Sequence, residues 1–225
     1  MLPPQITVHH IGREREPVAV IEHFAPDPQA LRAAATGAIF GQAGEHYPGV
    51  RASLPPTYLP NVRGKLGAVF REVFGVAETV SVLDIRFSIV SVAPAALSLE
   101  QRLPHVDALE PGRLALIHYL GAADEDGTAF YRHRATGFET IDRGRSADYF
   151  AALKADLDQH GTPPSGYLVG DTPIFERIGQ FAGCFNRALV YRGRLLHSGD
   201  IRPGRTLSAD PAEGRLTVTG FFAAR

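Results

Sequence analysis

Pro104-His105-Val106-Asp107 carries an imidazole and a carboxylate two residues apart. Side chains alternate with a period of two along a strand, so an extended backbone here points both groups off one face. A metal ion held this way needs a further ligand from another element. The candidate is His197, in Arg194-Leu195-Leu196-His197-Ser198-Gly199, a short apolar segment well downstream. Two histidines and one carboxylate on one side of a metal leave the opposite positions open. Pro104 precedes the pair and an apolar run follows, which places the pair at a strand edge where a pocket mouth can form.

Outward from this stretch the chain reads as β-rich. Residues 113–120 (Arg-Leu-Ala-Leu-Ile-His-Tyr-Leu) form a strand, 121–127 an acidic turn, and 128–134 and 138–141 further short strands. Residues 145–159 interrupt with a helix capped by Ser146, its stripe made by Tyr149, Phe150, Leu153 and Leu157. A second helix is expected over 171–181. Strands follow at 188–191, 195–198 and 215–222. Upstream, 17–23 is a β-branched strand. Asp27-Pro28 starts a helix over 29–40. A loop of turn-formers spans Tyr47-Pro48-Gly49-Val50-Arg51 and Leu54 to Tyr58, able to cover a pocket mouth, with Arg51 or Tyr58 on substrate. Residues 61–74 have helical spacing closed by Gly75. Residues 79–92 alternate as a long strand with the odd-numbered face in the core. His9 and His10 are expected in a mobile terminus. Short strands separated by turns point to a sandwich or jelly roll. The fold class is therefore mainly β with packing helices (α+β), in one domain over 1–225. Its N-terminal part is 1–78, and 79–225 is a β core with a helical insertion at about 145–180.

Composition narrows the function. The formal net charge is −1, which gives no electrostatic reason to expect nucleic acid or an anionic membrane as partner. The single cysteine, Cys184, excludes an intramolecular disulfide framework and a multi-cysteine zinc site. Between Gly183 and Phe185 it reads as a small core residue rather than a nucleophile. The N-terminus shows no basic region followed by an apolar one, and no apolar run reaches membrane-spanning length, so a cytoplasmic protein is expected.

A third element bears on the metal pair. In Gly214-Arg215-Leu216-Thr217-Val218-Thr219, Arg215, Thr217 and Thr219 share one face of a strand. A guanidinium grips a carboxylate with two parallel hydrogen bonds, and a hydroxyl two residues on can add a donor. The plain alternative is an exposed edge strand. Arg205 is a rival for the same task, although it follows Pro203-Gly204 in an apparent turn. His118 faces away from Tyr119 and reads as structural. The basic, aromatic tract Tyr131-Arg132-His133-Arg134 could hold an acidic or peptide substrate, or be a solvated strand end.

The order His105-x-Asp107, His197, Arg215-x-Thr217 resembles the iron- and 2-oxoglutarate-dependent dioxygenases, built on a double-stranded β-helix (jelly roll, cupin-like). Ile117-His118-Tyr119-Leu120 with Gly127-Thr128-Ala129-Phe130 is similar to their prolyl-4-hydroxylase-like branch, with Asp126-Gly127 where that branch has Gly-Gly. Tyr47 to Arg51, Asn186 to Tyr191 and Leu196 to Gly199 resemble an uncharacterised bacterial family of oxygenases of this type. The resemblance implies Fe(II) on His105, Asp107 and His197. It implies 2-oxoglutarate as co-substrate, held by Arg215, Thr217 and Tyr119 and decarboxylated to succinate and CO₂, with hydroxylation of a C–H bond as outcome. A peptidyl proline, another amino-acid side chain or a small metabolite are all open as substrate, near Arg51, Tyr131 and Arg132. Two other readings stand beside it: a non-catalytic jelly-roll binding module, and another metalloenzyme on the same scaffold, such as a zinc hydrolase, which would leave Arg215-x-Thr217 without a task.

Overall fold

The computed structural model describes residues 4–44, 46–76, 79–121, 126–205 and 207–224. Most of the acidic turn expected at 121–127 lies outside them. The elements are β1 (Gln5–Ile11), β2 (Glu16–Glu22), α1 (Pro28–Thr36), β3 (Gly41–Gln42), β4 (Gly49–Ala52), α2 (Tyr58–Glu72), β5 (Val80–Val90), β6 (Arg113–Tyr119), β7 (Gly127–His133), α3 (Ser146–His160), β8 (Phe175–Phe181), β9 (Ala188–Arg192), β10 (His197–Asp200) and β11 (Arg215–Ala224). The pairings are antiparallel. One sheet runs β1-β2-β9-β6-β11-β5-β4-β3 and a smaller one β10-β7-β8. This is the jelly-roll architecture expected from the strand spacing. Among the described residues, no helix is long and apolar enough to cross a membrane.

Register decides what each face of the large sheet does. On one face Phe87, Ile89, Leu114, Leu116, Val190, Leu216 and Val218 pack against Leu31, Val62, Leu66, Val69 and Phe70 of α1 and α2. The odd-numbered face of β5 is thus in the core from Phe87 onward, while Leu83 remains half-exposed. The other face looks toward the small sheet. Its rows are set by direct pairing: Arg51 with Ser88, Ser88 with Thr217, Thr217 with Tyr119. The next row is Gly49, Val90 and Arg215. Directly paired residues point the same way, so the polar residues of β4, β5, β6 and β11 share one interior wall. Behind the small sheet, Tyr131, Phe175 and Leu196 pack with Tyr149, Leu153 and Leu157 of α3.

Several expectations are corrected. Residues 171–181 are not helical: Thr172 closes a turn by accepting from Ile174 and Phe175 N–H, and Phe175–Phe181 pairs along β7. The neighbouring strand supplies the hydrogen bonds that a helix would have made internally. The terminus carrying His9 and His10 is strand β1, paired with β2 over its whole length. The 47–58 loop contains β4, paired with β5. Residues 138–141 contribute only an isolated bridge, Thr140 to Leu195. Helix α3 has Arg145 at its N-cap, and the Ser146 hydroxyl donates to Arg143 O instead of capping.

His118 holds the helices to the large sheet. It is fully buried, with Nδ1 3.1 Å from Tyr58 Oη and Nε2 3.0 Å from Asn186 Oδ1. Asn186 also clasps Ala25 through both amide atoms. A neutral imidazole with one donor and one acceptor fits this pair of partners. Burial pushes His118 down to about 4. Its unfolded value is near 6.5, so below that pH the unfolded chain binds the proton that the fold refuses. Stability is therefore expected to fall as pH drops from 7 to 5, by about 2 kcal/mol from this group. Denaturant melts of wild type and His118→Gln, which keeps a donor and an acceptor, isolate the share: the variant should show the shallower decline. Equal declines would place the acid sensitivity elsewhere.

Candidate metal centre and carboxylate pocket

His105 and His197 face each other across a two-residue bridge, each N–H donating to the other's carbonyl at 2.9 Å. Their rings lie side by side, centroids 4.4 Å apart. The backbone of Asp107 is pinned by its N–H to Gly193 O at 2.7 Å. Asp107 Oδ1 is 3.8 Å from His105 Nε2, and Oδ2 is 3.5 Å from His197 Nε2. One ligand atom from each of the three residues falls within a 4.8 Å cluster. His197 Nδ1 sits 2.8 Å from Leu195 O. With the proton on Nδ1 donated there, the Nε2 lone pair is directed at Asp107, the orientation a metal ligand requires. Burial takes His197 down to about 4 and lifts Asp107 to about 6. Among the described residues, Asp107 Oδ2 is buried without a hydrogen-bond partner. Leaving such an atom unpaired costs about 1–3 kcal/mol or more for a charged group, and a cation between the three side chains would remove that cost. The His105 side chain is 56% exposed, so solvent reaches the cluster from that side.

Deeper along the interior wall lies Arg215. It is buried, its Nη2 donates to Gly127 O at 2.6 Å, and its guanidinium stands 5.5 Å from the Tyr119 ring centroid. Among the described residues it forms no ion pair, and its Nε has no partner. Arg205 is instead committed to Asp126 at 2.8 Å. Tyr119 Oη is 2.7 Å from Thr128 Oγ1. Thr217 is in place but its hydroxyl donates to Ser88 O at 3.1 Å. The donor expected from Thr217 is therefore already used, and its oxygen is left as an acceptor. Between the histidines and Arg215 stands Tyr191, its ring edge-on to His197 at 4.8 Å and within the electrostatic reach of both Asp107 and Arg215. Sequence reading missed this role, although the two-residue alternation of Leu189 and Tyr191 carried the signal.

The residues expected near substrate separate. Arg51 lies by the cluster: it is close enough to Asp107 to lower the carboxyl, pairs with Asp84 at 3.3 Å, and lies over the rings of Tyr47 and Phe221. Tyr58 is buried against His118 and touches no opening. Arg132 is also corrected: it is buried between Glu139 (Nε to Oε1, 2.7 Å) and Glu176 (2.7 Å). Tyr131 points to the α3 side of the small sheet, because β7 turns Phe130 inward and Tyr131 outward. A cavity of about 350 Å³ opens at Asp107, bounded by Leu83, Asp84, Glu110, Arg113 and Phe221. A larger one, about 620 Å³, lies under the 160–174 segment among Arg102, Leu103, Tyr167 and Phe175. None of the three clustered residues lines it, so size is a poorer guide to the chemistry than the ligand geometry.

A jelly roll with two histidines and a carboxylate clustered at its mouth is the class that fold and cluster define. The chain belongs to a family of unknown function, DUF6445, whose model matches residues 2–222. No curated protein sequence matches it. Among solved structures it is similar to HygX from Streptomyces hygroscopicus with nickel, 2-oxoglutarate and hygromycin B bound. The TM-score is 0.53 and the identity 12%, over 92% of this chain and 82% of that one. The iron-bound form of HygX gives a TM-score of 0.51 and 14% identity, over 92% and 81% of the two chains. At these identities the likeness is one of fold. It does not single out the prolyl-4-hydroxylase-like branch.

Proposed function

We propose that this protein is an Fe(II)- and 2-oxoglutarate-dependent oxygenase that oxidises a C–H bond of a small molecule, amino acid or peptide. The observation that carries the reading is the Asp107 Oδ2 between two histidines, buried and unpartnered among the described residues, with the Arg215 guanidinium inside the fold and without an ion pair among them. A cation and a dicarboxylate would satisfy both. His105, Asp107 and His197 would hold the metal. Arg215 receives the far carboxylate of 2-oxoglutarate, and Tyr119 and Thr217 line that pocket. Bound there, the iron and 2-oxoglutarate supply O₂ activation coupled to decarboxylation. The chain's own part is to hold the histidines neutral, to orient the dicarboxylate from Arg215, and to wall the interior with Tyr119, Phe130 and Tyr191 against water. Substrate enters on the exposed His105 side, where Arg51 and Arg113 are the nearby cations. The ligands named for the similar HygX structures fit this reading. A zinc hydrolase would leave the Arg215 pocket unused.

Anaerobic isothermal titration of 2-oxoglutarate into the protein, with and without Fe(II), tests the proposal. Binding at one site that requires the metal is expected. Absence of binding at every metal load would overturn it.

A further inference from the structure

We infer that Tyr47, from the loop before β4, is a co-substrate-binding residue whose phenol donates to the same distal carboxylate as Arg215. The inference rests on the proposed function and adds to it a residue from outside the core strands. Three observations support it.

The first is position. Gly49 pairs with Val90, and Val90 pairs with Arg215, so the start of β4 lies two strands from the arginine in one row. Pro48 O accepts from Ser91 and Val92 N–H, and a side chain at Gly49 would collide with Ile89 O. The chain just after Tyr47 is thus pressed onto the end of β5. The Arg51 guanidinium covers the Tyr47 ring at 4.7 Å. Tyr47 lies near Thr217 and Ser88 and within reach of the Arg215 charge.

The second is an unmet donor. Among the described residues the buried Tyr47 hydroxyl makes no hydrogen bond of good geometry, although the Thr217 and Ser88 side chains are close enough to favour its phenolate. Of the other tyrosines in the electrostatic field of Arg215, Tyr119 is tied to Thr128 and Tyr167 to Val92 O at 2.7 Å, while Tyr191 packs edge-on against His197. A buried phenol is kept without a partner only at a cost, and Arg215 Nε is unpartnered as well. A carboxylate between them would accept from both.

The third is a shortage that Tyr47 relieves. A carboxylate bound away from water needs several donors. Thr217 has already given its proton to Ser88 O, so a donor from the loop before β4 adds to what the core strands supply.

Tyr47→Phe removes the hydroxyl and keeps the ring under Arg51. Calorimetry in the presence of anaerobic Fe(II) should give a 2-oxoglutarate Kd about tenfold weaker than wild type, with metal affinity unchanged. The companion ligand is 2-oxopentanoate, which has the same 2-oxo acid end and chain length but no distal carboxylate. It should bind wild type and Tyr47→Phe equally. Equal 2-oxoglutarate affinity in the two proteins, or an equal loss for both ligands, would overturn the Tyr47 assignment and leave the proposed function standing. Failure of wild type to bind 2-oxoglutarate with metal would instead remove the functional reading, and the Tyr47 assignment with it.

Discussion

Arg215→Ala is expected to weaken 2-oxoglutarate binding by at least about 100-fold while leaving Fe(II) binding intact. Hydrogen bonds to charged groups contribute roughly 1.5–3 kcal/mol each, and a two-pronged contact uses two of them. Two such bonds at the lower figure already amount to two decades in Kd. The site favours the upper end, because Arg215 is buried and among the described residues has no carboxylate of its own to share its charge. Arg215→Lys keeps the charge but not the planar fork, and should fall between wild type and alanine. Arg205→Ala should bind as wild type does, since Arg205 serves Asp126. Calorimetry on the four proteins is the check. If Arg205→Ala lost binding and Arg215→Ala did not, the pocket would have to be moved to the turn before residue 206.

Asp107→Asn should abolish measurable Fe(II) binding and, in the same experiment, raise the melting temperature of the metal-free protein. The carboxylate is lifted to about 6 by burial, so at neutral pH its charge opposes folding. The sign follows from linkage: the fold binds this proton more tightly than the unfolded chain, so the cost is present above pH 6 and fades as pH falls toward the unfolded value. An upper figure is about 3 kcal/mol, and a melting-temperature rise of roughly 5 °C is expected for a chain of this size. Metal reverses the order. At a free concentration 1,000 times its Kd, a ligand adds about 4.1 kcal/mol to the fold that binds it, and wild type gains this while Asp107→Asn does not. Scanning calorimetry of both proteins with and without Fe(II) under nitrogen tests both halves. A variant that melted lower than wild type without metal would mean that Asp107 is a structural partner and not a ligand kept at a cost to stability.

The sequence by itself nominated the candidate metal and carboxylate residues and determined the class of scaffold. Arg215 and Thr217 share a face because a strand alternates, whereas His105 and Asp107, expected on a strand, sit in a connecting segment, His105 held by its bridge to His197 and Asp107 by Gly193 O. Short strands separated by turns were enough to expect a sandwich or jelly roll. Strand alternation and turn spacing are local facts, set by backbone geometry over a few residues. Tertiary structure decided whatever depends on the neighbouring strand. Residues 171–181 are a strand because β7 supplies their hydrogen bonds, and β1 is ordered because β2 pairs with it. Arg132 is spent on Glu139 and Glu176, which stand 7 and 44 residues away. Thr217 gives its proton to Ser88, 129 residues upstream, and Tyr47 reaches the Arg215 row only through Gly49 and Val90. A donor's free or occupied state is a property of the partner across the sheet, and register, which chooses that partner, is written in no short stretch of the chain.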